Sequence, residues 1–147
     1  MKTKIIASLK GHLESRLDEF NIELRSLQES LAEDTKSSAG DKFETSREMT
    51  QQEINKIEAQ TELCLKNLSD LAKLKNTETD GVIRQGSLVQ TNMGFYYLAF
   101  AHGKLMIDDQ AVFVLSLESP VGALMNGLSA GDKFAFNMRE FNVLSVE

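Results

Sequence analysis

Two apolar seams, each stepping by three and four residues, fill the first half of the chain and limit what it can fold into. The first runs through Ile6, Leu13, Leu17, Phe20, Leu24, Leu27 and Leu31, with Lys10 in a polar slot. The second runs through Ile54, Ile57, Thr61, Cys64, Leu68 and Leu71. Such spacing keeps a stripe on one side of an α-helix, and the stripe must be buried against another helix. Leu63, Leu65, Ala72 and Leu74 are expected to widen the second stripe toward its end. A helix over residues 3–33 is roughly 45 Å long at 1.5 Å per residue. Between the seams lies Thr35-Lys-Ser-Ser-Ala-Gly40, whose small polar residues favour turns and caps. The pattern predicts an antiparallel coiled-coil hairpin over 1–75, with its tip near 35–45. Dimerisation through the same stripes is the competing outcome.

The hydrophobic period changes near residue 80. Seven of the nine glycines, six of the eight phenylalanines and both tyrosines lie from Gly81 onward, so this half has the makings of strands and turns. Strands are expected at Leu88–Thr91, Phe95–Phe100, Leu105–Ile107, Ala111–Leu115, Lys133–Phe136 and Phe141–Val146. A short helix is expected after Ser119-Pro120, with Ser as cap, Pro in the first turn and Gly127 as the stop. The fold class is therefore α+β: a helical hairpin over 1–75, a linker over 76–85, and a small β-rich domain over 86–147 wrapping one short helix.

Composition removes several function classes. The net charge is −6, with 12 basic and 16 acidic side chains before residue 81 and 4 and 6 after it, so neither half suits free duplex DNA. No apolar run approaches the roughly 18 residues that span a bilayer, and the opening Met1-Lys-Thr-Lys4 lacks a secretory pattern, so a cytoplasmic protein with no membrane partner is expected. A lone cysteine, Cys64, excludes a disulfide within the chain and reads as an inert seam residue. His12 and His102 read as surface or turn residues. No phosphate-binding loop is present, because the stretch from Gly122 to Gly127 lacks the following Lys-Ser/Thr. Phe95-Tyr96-Tyr97 can line a groove, although alternation between core and surface along one strand explains the same run.

The hairpin tip holds the candidate chemistry: Gly40-Asp41-Lys42-Phe43-Glu44-Thr45-Ser46-Arg47-Glu48. If a helix starts near Asp41, Asp41 and Glu44 share a face at i, i+3. Two carboxylates there can hold one Mg²⁺ whose remaining shell comes from water and substrate phosphates. Helix capping explains the same spacing, and Thr45-x-x-Glu48 reads as a second capping box.

The tip Gly40-Asp41-x-x-Glu44, the preceding hairpin and the stretch Ser119-Pro-Val-Gly-Ala-Leu-Met-Asn-Gly-Leu-Ser-Ala-Gly-Asp132 together resemble the bacterial Gre transcript-cleavage factors over nearly the whole chain. The resemblance implies that residues 86–147 are an FKBP-like domain docking at the rim of the secondary channel of RNA polymerase, while the coiled coil enters that channel. It implies that Asp41 and Glu44 are the catalytic and metal-binding residues. They would help hold a Mg²⁺ supplied in the polymerase active site, and the free protein would bind none stably. The partners implied are RNA polymerase and, only within that complex, the 3′ end of nascent RNA. The chain would then be a cofactor of the polymerase's intrinsic RNA cleavage rather than a free-standing enzyme. The tip departs from the family's usual Glu-Asn-Ala-Glu-Tyr continuation, since Glu44 is followed by Thr45-Ser-Arg-Glu48. A non-cleaving regulator on the same fold and a coiled-coil scaffold protein are the alternative readings.

Overall fold

The computed structural model describes residues 1–36, 41–75 and 77–147. Two long helices, α1 (Lys2–Lys36) and α2 (Asp41–Leu74), precede six strands and a short helix. The chain divides into two compact units: Lys10–Ser69, and Met1–Leu9 together with Asp70–Glu147.

Within Lys10–Ser69 the seams pack against each other. Leu13 and Phe20 on α1, and Ile54, Ile57 and Cys64 on α2, are buried. Leu17, Leu24, Leu27 and Leu31 are half-buried, as are Thr61 and Leu68. The Cys64 thiol donates to the Leu13 carbonyl at 3.1 Å. Leu13 stands 23 residues before the end of α1, and Cys64 stands 23 residues after the start of α2. Two helices that touch at equal distances from the residues joining them run antiparallel. Thr61, the polar member of the second seam, turns its hydroxyl back onto the Ile57 carbonyl at 2.8 Å. Arg16 lays its guanidinium 5.2 Å over the Phe20 ring, covering that side of the seam.

Two expectations for the helices need correction. Leu63 and Leu65 are 57% and 50% exposed, and Ala72 is exposed as well; of the residues expected to widen the stripe, only Leu74 is buried. A paired helix buries a narrow stripe, and residues flanking Cys64 by one position point about 100° away from it. At the start of α1 the buried residues are Ile5 and Leu9, each 0% exposed, and not the Ile6–Lys10 line. Steps of four from Ile5 through Leu9 and Leu13 to Leu17 turn the buried line by about 120° around the helix. Ile5 and Leu9 accordingly belong to the other unit.

That unit is built on a mixed sheet. Its strands are β1 (Leu88–Thr91), β2 (Gly94–Leu98), β3 (Gly103–Ile107), β4 (Gln110–Leu115), β5 (Lys133–Phe136) and β6 (Arg139–Val146), in the order β3-β4-β2-β1-β6-β5. Neighbours are antiparallel except β2 and β4, which run parallel with Tyr96 beside Phe113. Two-residue turns join β3 to β4 through Asp108-Asp109 and β5 to β6 through Asn137-Met138, all four with positive φ. On one face of the sheet Val89, Leu98 and Val143 pack with Ile83 and with Met125 of the helix α3 (Pro120–Met125). On the other, Tyr97, Leu105, Ile107, Val112 and Val114 are buried. The two helix ends in this unit also carry buried residues, Ile5, Leu9, Leu71 and Leu74. Lys4 pairs with Asp108 at the β3–β4 turn. A Cβ on Gly86 would meet Leu74 Cδ2 at 3.0 Å.

α3 starts as its sequence predicts. The Ser119 hydroxyl accepts from the Gly122 amide at 3.0 Å and donates to the Ser116 carbonyl at 2.7 Å. Gly122 itself is not a turn glycine. It is buried inside α3, where an added Cβ would stand 2.0 Å from the Ser116 carbonyl oxygen. The helix approaches the preceding loop so closely that only a hydrogen fits.

Gly122→Ala is expected to cost about 3 kcal/mol or more, because the obstacle is backbone that cannot step aside. Urea unfolding monitored by tyrosine fluorescence measures this. Tyr97 is fully buried and its hydroxyl has no hydrogen-bond partner, and burial pushes its ionisation up to about 12 from the usual 10.0. The folded state thus favours the neutral phenol. This stabilisation is complete below pH 10 and is lost as pH rises toward 12. Tyr97→Phe should leave neutral-pH stability unchanged or higher and shift alkaline unfolding upward, read by circular dichroism across that range.

Candidate functional site

Asp41 is the first residue of α2, and Glu44 follows in the same turn. The helical backbone therefore puts them on one face at i, i+3. Glu44 is exposed, as are Thr45, Ser46, Arg47 and Glu48. Gly40 and the rest of the bend, 37–40, lie outside the described residues, as does the side chain of Asp41. The second capping box does not form, because Thr45 and Glu48 both lie inside α2 rather than at its start. Thr50 tolerates the helix interior by bonding its hydroxyl to the Ser46 carbonyl at 3.0 Å.

From the Leu13–Cys64 contact to the tip-side helix ends, 23 residues of each helix extend about 35 Å at 1.5 Å per residue. Residues 10–69 carry 8 basic and 13 acidic side chains, so this unit holds −5 of the chain's −6. Glu44, exposed near the end of such a rod, can contribute an oxygen ligand to a hard cation, with the rest of the shell coming from elsewhere. Among the described residues, no three His, Cys, Asp or Glu side chains gather as a metal site. Among them also, no helix is long and apolar enough to cross a membrane.

Cys64 is 4% exposed on the seam, and its thiol is committed to the Leu13 carbonyl. Burial pushes its ionisation up, only partly opposed by the charge of Arg16. Both properties oppose nucleophilic chemistry. His12 and His102 are exposed and far from Cys64 in sequence. The Phe95-Tyr96-Tyr97 run alternates across β2: Tyr97 is buried, while Tyr96 is half-buried on the α3 face. There Tyr96 stacks on Phe113 at 5.6 Å and meets Phe141 edge-on at 6.2 Å. Sequence reasoning missed this grouping, because it depends on the parallel β2–β4 register and no local pattern encodes it.

Comparison with protein-family models and with curated proteins finds no match for the chain.

Iodoacetamide should modify Cys64 slowly in the folded protein and at the rate of a free thiol in urea, followed by mass spectrometry. Fast labelling of the folded chain would contradict the buried assignment.

Proposed function

We propose that the chain is a Gre-like factor that binds RNA polymerase through its secondary channel, with Asp41 and Glu44 assisting Mg²⁺-dependent cleavage of backtracked transcript. The observation that carries this reading is the antiparallel pairing of α1 and α2, which brings the start of α2 to the end of a rod of about 35 Å. A rod of that length suits a deep channel, and the carboxylates at its end suit a metal shared with a larger active site. In this reading Asp41 and Glu44 help hold the second of two Mg²⁺ ions. The polymerase supplies the first metal, the phosphodiester and the nucleotide contacts. The β-rich unit is read as an FKBP-like domain docking at the channel rim; a mixed sheet with α3 packed on one face supports that reading.

A non-cleaving regulator on the same fold is the second reading. It is favoured by the tip residues Thr45-Ser-Arg-Glu48, all exposed and unlike the family's usual continuation.

Stalled elongation complexes distinguish the two. Adding the protein should shorten the 3′ end of backtracked RNA, and Asp41→Asn with Glu44→Gln should abolish shortening while leaving polymerase binding intact, a loss of about 10²-fold or more. Binding without shortening by the native chain would leave only the regulator. Absence of binding to core polymerase would remove both.

A further inference from the structure

The α3 face of the sheet is only partly covered, and the uncovered part has a distinct chemistry. Lys104, Phe113 and Tyr96 stand side by side on β3, β4 and β2. Tyr96 in turn lies beside Val89, a residue packed with α3, which fixes the face. Across β1, Phe141 sits beside Phe134, with their rings stacked at 4.8 Å, and the Tyr96 ring meets Phe141. Strand alternation from Phe141 puts Arg139 on this face too. Phe113 is 37% exposed, Lys104 and Arg139 are exposed, Tyr96 and Phe134 are half-buried, and Phe141 is buried beneath them. The nearest acid on β6, Glu140, projects to the opposite face and is held there by Lys133 at 3.5 Å. Among the described residues, Lys104 and Arg139 make no ion pair and the Tyr96 hydroxyl makes no hydrogen bond.

We propose that this strip is a docking surface for an acidic protein segment that carries apolar side chains between carboxylates. The chain as a whole is acidic, so a face whose strand-borne charges are both positive and unpaired departs from its surroundings. Phe113, with the open parts of the half-buried Tyr96 and Phe134, offers apolar contact between the cations. The two cations and the phenol offer donors at the margins, which complement carboxylates. Lys104 and Arg139 stand four strand spacings apart, about 19 Å, and about six residues apart along the strands, about 20 Å, so an extended segment of about nine residues covers the diagonal. Unpaired nucleic acid could also stack on rings. However, a phosphate at every nucleotide would meet only two cations here on a chain of charge −6, and that disfavours it. The inference is independent of the polymerase reading, and neither one's failure touches the other.

Fluorescence anisotropy with the full chain at low salt tests it. The probe is a labelled peptide of about ten residues, long enough for the span, with Leu-Phe at its centre and glutamates at both ends. The glutamate peptide should bind and its lysine counterpart should not. Lys104→Glu with Arg139→Glu should weaken the glutamate peptide by roughly tenfold and favour the lysine one. Phe113→Ala should weaken the glutamate peptide, with circular dichroism confirming that each variant folds. The proposal is overturned if the glutamate peptide does not bind. It is also overturned if the charge reversal leaves binding unchanged, or if a uridine oligomer binds the strip in its place.

Discussion

The buried contact between the two helical seams is the constraint on which the rest of the hairpin depends. Helices of 35 and 34 residues each carry one apolar stripe, and residues 37–40 are all that joins them. Folding back lets each stripe desolvate the other, with Leu13, Phe20, Ile54, Ile57 and Cys64 as the most buried contributors. A two-helix pair has no second layer. Leu63 and Leu65 therefore stay in water, and the seam carries the packing with arginine and threonine at its margins.

The β-rich unit solves a different problem. A sheet of six strands has two faces to cover, and α3 has only six residues. α3 compensates by close approach. Gly122 removes the side chain that would hold the helix away from Ser116, and Met125 reaches the fully buried Val89 and Leu98. Ile5, Leu9, Leu71 and Leu74, from the ends of the long helices, are buried in the same unit. The same helices therefore serve two cores, and the change from three-and-four to four-residue steps near Leu13 marks where α1 passes from one to the other. The functional candidates follow from these solutions. The hairpin leaves Glu44 exposed near one end of the helix pair, and the short α3 leaves Phe113 and Tyr96 partly open on the sheet.

Much of this was written locally. Heptad spacing determined the two helices and the seam from Leu13 to Leu68, because the period of a helix and its burial are one geometric fact. Period-two runs and turn residues determined the six strands, and Ser119-Pro120 determined the start of α3. The spacing of Asp41 and Glu44 on one helical face was legible for the same reason. Only the tertiary structure decided that Ile5 and Leu9 leave the seam, that Gly122 is held to hydrogen by the Ser116 carbonyl, and that Tyr96, Phe113 and Phe141 share one face. Each of these depends on residues distant in the chain or on the approach of two backbones. Such contacts are set by strand register and packing distance, and no run of neighbouring residues encodes them.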